Sequence, residues 1–149
     1  MAAGAAGCAS SEALVKATAA RCPANDRHPA YSNAPATRTT LVPTGAIRLT
    51  LCRYRGLSPD RKRVSTLARV KAVTSRARLA HLTREFDALP PFPSTGAIDC
   101  PLDDDSETIA IFSYRQAPAD PVLVSLTGCP AAYNGHLLRW AGEITAEMK

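Results

Sequence analysis

Between residues 47 and 52 apolar and polar side chains alternate, with Ile47, Leu49 and Leu51 on one side of an extended chain and Arg48, Thr50 and Cys52 on the other. This pattern predicts a half-buried strand. A second alternating run, 64–73, sets Arg69 and Lys71 against Ala68, Val70 and Ala72, and predicts another strand with one face in solvent. The period then changes. Leu79, Leu82, Phe86 and Leu89 recur at steps of three, four and three, which predicts a helix capped by Thr74 or Ser75 and stopped by Pro90-Pro91. A helix of about 20 Å is too short to be stable alone, so it must lie on the sheet.

Residues 98–129 read as a hairpin framed by two cysteines. Segments 108–114 and 122–127 are rich in β-branched and aromatic residues, and 117–121 (APADP) is the turn between them. The first of these strands is apolar on both faces, Ile109 and Ile111 on one and Ala110, Phe112 and Tyr114 on the other, which marks it as central. Asn134-Gly135 predicts a tight turn, because both residues tolerate the positive φ that such a turn demands. A last strand over 136–140 and one helical turn within 141–149 complete the order β-β-α-β-β-β. The expected fold class is α+β: a twisted antiparallel sheet of about five strands, with one helix packed on a face.

Composition sets the boundary of this domain. Of the 149 residues 46% are hydrophobic, enough for one core and one domain of ordinary size. The first 40 residues hold Ala, Thr, Pro and Asn but little apolar bulk, so burial there does not offset the entropy of ordering. Residues 1–40 are therefore expected to be a flexible leader or tether, with a short helix over 11–20, and 41–149 a single α+β domain. No run of the chain approaches the roughly 18 to 20 apolar residues of a membrane span.

The net charge of +5 is unevenly placed: eleven Lys or Arg and one acid, Asp60, lie between 48 and 84, and seven acids and no base between 85 and 107. Such asymmetry can steer a charged partner, and more commonly it is a solvated surface. Nucleic acid is not expected as a partner, since stacking aromatics do not interleave the basic residues and no helix-turn-helix or zinc-finger spacing occurs.

Cys8, Cys22, Cys52, Cys100 and Cys129 are dispersed, with no C-x-x-C and no histidine at ligand spacing, so no metal site is expected and disulfides are the better reading. Four of these cysteines can pair in three ways. The phase of the first strand puts Cys52 on the face away from Leu49, within reach of a covering N-terminal segment. Cys22–Cys52 and Cys100–Cys129 are accordingly the expected bridges.

No catalytic residue or cofactor site is assigned. The chain has no G-x-S-x-G, H-E-x-x-H, phosphate loop or dinucleotide fingerprint. His28, His81 and His136 are read as surface residues. The run Asp103-Asp104-Asp105-Ser106-Glu107 is read as a solvated turn rather than a calcium loop, because consecutive acids on an extended chain point to opposite sides.

Three resemblances bear on compartment and function. Ala5-Ala6-Gly7-Cys8-Ala9-Ser10-Ser11 is similar to the end of a bacterial lipoprotein signal, which would make Cys8 a lipidation site and the only membrane attachment. Leu51-Cys52-Arg53-Tyr54, Leu89-Pro90-Pro91-Phe92-Pro93, Asp99-Cys100-Pro101 and Gly128-Cys129 with Asn134-Gly135 resemble small secreted proteins or lipoproteins of high-GC actinobacteria, a source that fourteen Arg against four Lys also fits. That resemblance implies an uncharacterised, non-enzymatic domain at the cell envelope or outside the cell, with an unknown protein or envelope partner. A helix, then Cys-Pro, then a hairpin and a later cysteine also resembles the subtilisin-inhibitor-like family. It implies a secreted serine-protease inhibitor whose reactive loop is Cys100, Pro101, Leu102 and Asp103, although that family's second disulfide uses a helix cysteine that 79–89 lacks. An intracellular basic binding protein is the remaining alternative, and follows if Met1 is the genuine start.

Overall fold

The computed structural model describes residues 21–25, 29–58, 60, 62 and 65–149. Six strands, β1 (Arg48–Tyr54), β2 (Leu67–Val73), β3 (Glu107–Ser113), β4 (Asp120–Ser125), β5 (Ala131–Tyr133) and β6 (Leu138–Trp140), form one open sheet. Their order across it is β2-β1-β3-β4-β5-β6, every pair antiparallel. Helix α1 (Arg76–Asp87) follows β2, and a single helical turn, α2 (Thr145–Met148), closes the chain. The fold is α+β, as the pattern requires, with six strands where about five are expected.

The alternation along β1 and β3 sorts the core onto two faces. Leu49, Leu51, Ala110, Phe112, Val122, Val124 and Ala132 join Leu79, Leu82 and Phe86 of α1 in the larger cluster. Phe86 and Phe112 meet edge to face, with ring centroids 5.4 Å apart, a favoured geometry for the aromatic quadrupoles. On the opposite face Cys52, Tyr54, Ile109 and Ile111 form a smaller cluster with Cys22. As expected, β3 is apolar on both sides because it lies inside the sheet. Helix α1 begins at Ser75, whose hydroxyl accepts from the Arg78 backbone N–H, and it ends before Pro90.

Several expectations require correction. Strand β2 does not have one solvated face: it is an edge strand and contributes only Val73 to the helix-side core, while Val70 on the other face is 53% exposed. Its expected first residue, 64, lies outside the described set. Asp120 and Pro121 belong to β4, not to the preceding turn. Proline is tolerated there because the β5 ladder reaches only Leu123 and Val124, so no bond on that side needs its missing N–H. The three-residue β5 precedes Asn134, a strand too short to show a period.

The expected tether falls partly outside the described residues, including the helix over 11–20. Its later part, 29–40, is packed together with the first residues of the domain. Ser32, Thr37, Leu41 and Val42 are buried, Pro35–Arg38 form a 3-10 turn, and the Val42 N–H donates to Asp87 Oδ1 at 2.9 Å. The ordered unit therefore begins well before residue 41. The far edge of the sheet is covered too, since the stretch after α1 pairs with β6 through Trp140 N–H to Pro90 O (2.9 Å) and Phe92 N–H to Leu138 O (3.3 Å).

Candidate functional site at the Cys100 loop

Cys22 is joined to Cys52 and Cys100 to Cys129, with Cα separations of 5.6 and 4.9 Å. The first bridge sits under the sheet, where Cys52 is fully buried. The Tyr54 hydroxyl donates to Pro23 O at 2.7 Å beside it, so a bridge and a hydrogen bond together fix the incoming chain.

The second bridge anchors a loop without regular structure that runs into β3. Within it Leu102 is 93% exposed, the most exposed large apolar side chain among the described residues. Proline on one side and a bridged cysteine just before it restrict the backbone that presents this side chain. Pro101, Asp103 and Asp104 are exposed beside it.

Polar contacts hold the loop from below. Thr127 Oγ1 lies 2.9 Å from Asp103 Oδ1 and 2.7 Å from Asp104 Oδ1, and accepts from the Asp104 N–H at 3.2 Å. Asp103 Oδ1 also accepts from the Asp105 N–H (2.8 Å), and Asp104 Oδ1 from the Ser106 N–H (2.9 Å), turns that short carboxylates favour. Hydrogen bonding from Ser106, then from Thr127, with the Arg53 charge nearby, holds the Asp104 carboxyl below its usual range. The Leu57 N–H donates to Asp104 O at 2.6 Å, and Gly56 lies so close against that carbonyl that no side chain fits there. Gly128, at φ +67, would bring a Cβ within 2.8 Å of Asp103. Both glycines let the backbone approach the loop.

The structure thus brings Cys100, Pro101, Leu102 and Asp103 together on one exposed loop. Asp103 does not present a bare carboxylate, because the loop itself uses it. Cys8 lies outside the described residues, as does His28. His81 is on the exposed side of α1, 3.2 Å from Glu85. His136 is half-buried, with Nε2 3.1 Å from Ser32 O, so it is a packed residue and not a free surface one. Thr127, Gly56 and Gly128 support the loop, yet nothing in the sequence singles them out.

Two bridged pairs are compatible with an extracellular protein. Among the described residues no helix is long and apolar enough to cross a membrane, and no three His, Cys, Asp or Glu side chains converge as a metal site would require. The chain matches no family model, no curated protein and no solved structure. Its likenesses to actinobacterial secreted proteins and to subtilisin inhibitors therefore rest on the quoted residues alone.

Proposed function

We propose that this chain is a non-enzymatic binding domain of the cell exterior or envelope, and that its partner engages the loop around Leu102. The observation that carries the reading is Leu102 itself, 93% exposed and held two residues beyond a bridged cysteine. Holding an extended segment before contact lowers the ordering cost of binding. Export agrees with two disulfides, and a lipid at Cys8 would supply anchorage. The test is a photo-crosslinking residue placed at position 102 in cells of the source organism. A discrete adduct in the envelope or secreted fraction, missing when the residue is placed at Lys71, is expected. Failure to form one, or recovery of the chain solely from the cytoplasm, would overturn the proposal in favour of an intracellular basic binding protein.

A narrower reading, serine-protease inhibition, is favoured by one feature: Asp103 and Asp104 are tied to Thr127, which holds the segment after Leu102 against the body of the domain. Leu102 would then enter the protease's specificity pocket. Titration of subtilisin and chymotrypsin with micromolar protein decides it, and undiminished protease activity sinks it.

A further inference from the structure

Far from this loop, the arm ahead of β1 and helix α1 enclose a half-open groove of about 680 Å³. Its floor is apolar, formed by Ile47, Leu79 and the small Ala80, and three arginines line it, Arg76, Arg84 and Arg115, with no acidic residue among the lining side chains. Among the described residues none of the three is ion-paired, whereas Arg78, on another side of α1, pairs with Glu147. Thr83 also lines the groove, and only 6% of its surface is exposed. A hydroxyl set among guanidinium groups offers an oxygen anion a neutral donor beside charged ones.

We propose that this groove binds a medium-chain acyl carboxylate. Thr83 and Arg84 are consecutive on α1, Arg115 from the turn after β3 lines the same groove, and the arginines with Thr83 supply the donors that meet the carboxylate. Arg76 stands eight residues before Arg84, about 12 Å along the helix axis at 1.5 Å per residue. Between them Ala80 and Leu79 leave an apolar track, over which the methylene stem of Arg76 lies alongside the chain of the ligand. The volume falls within the roughly 300–1,000 Å³ of small-molecule sites, ample for an acyl chain and larger than a bare anion needs. A headgroup alone would leave the track unfilled, and an uncharged chain would leave the arginines unmet.

Calorimetric titration of the full chain with dodecanoate, below its aggregation concentration, tests this. Saturable one-to-one binding is expected, at least about tenfold tighter than for dodecanol or acetate, since a charge-assisted contact contributes on the order of a factor of ten. Arg84→Gln with Arg115→Gln should weaken it about a hundredfold by the same measure. Ala80→Trp, at an exposed helix position, should fill the track and abolish binding with the thermal midpoint unchanged. Equal binding of dodecanol, equal binding of acetate, or unaltered dodecanoate binding by Ala80→Trp would each overturn the proposal.

Discussion

The side-chain amide of Asn134 donates to the backbone carbonyl of Thr37 at 2.8 Å, across 97 positions of sequence. The same nitrogen lies 3.1 Å from Leu41 O and 3.2 Å from Thr40 O, while Oδ1 accepts from the backbone N–H groups of Leu137 (2.8 Å) and His136 (3.0 Å). Asn134 is 1% exposed. Substituting Asn134 with Ala strips partners from several buried backbone groups at once, each costing about 1–3 kcal/mol. A loss of about 3 kcal/mol in urea unfolding is expected, and a loss under 1 kcal/mol would show that the arm is not held there.

Helix α1 is stable only on its sheet. Leu82 is 2% exposed within the helix-side cluster, so Leu82→Ala should cost about 2–4 kcal/mol, and Leu82→Asp should leave the domain unfolded by near-ultraviolet circular dichroism. A native spectrum for the Asp variant would contradict the packing.

Of five cysteines four are bridged, so protein purified without reductant should titrate one thiol after denaturation, that of Cys8 when it carries no lipid, and none when it does. Each bridge closes a loop of about thirty residues and should contribute roughly 3 kcal/mol through the unfolded chain. Because Cys100 is exposed and Cys52 fully buried, mild reductant should open Cys100–Cys129 first, as mass mapping of alkylated peptides would show. The reverse order would count against the burial of the first bridge.

Asp120 is 3% exposed and its Oδ1 has no partner among the described residues. Burial raises its carboxyl above the usual range, with hydrogen bonds from Ser32 and Tyr114 acting in the other direction. A folded value above the unfolded one means that the native state keeps its proton to higher pH. Stability therefore falls as pH rises from the unfolded value, about 3.9, through the folded one. Asp87 shifts the same way, again by burial. Asp120→Asn should raise the urea midpoint at pH 7 and change it little at pH 3; equal destabilisation at both would mean the carboxylate is needed as an acceptor.

How much of this was legible follows residue by residue. The phase of Leu49, Leu51 and Cys52 placed one bridge, since a period of two admits only two faces. The helix steps from Leu79 to Phe86 identified its buried stripe. Asn134 shows where pattern reading stops: Asn-Gly suggested two residues with positive φ, but only Gly135, at +94°, has it, and Asn134 acts through its side chain. No local signal reveals bonds to carbonyls more than ninety residues away. Residues 29–40 are packed, against expectation, for the same reason, because the arm is held through Asn134 and Asp87 rather than by its own apolar content. At the loop, sequence located Cys100 to Asp103, while its supports, Thr127 and Gly56, come from the segments just after β4 and β1, distant along the chain.

The long reach from Asn134 to Thr37 orders the folding of the chain. Cys52 follows Cys22 by only thirty positions, so the first bridge needs little further chain, whereas the strap at 37–41 waits for Asn134. Chains truncated before residue 134 should be cut by protease within that strap and those that include Asn134 should not, which makes its fastening a late step of maturation.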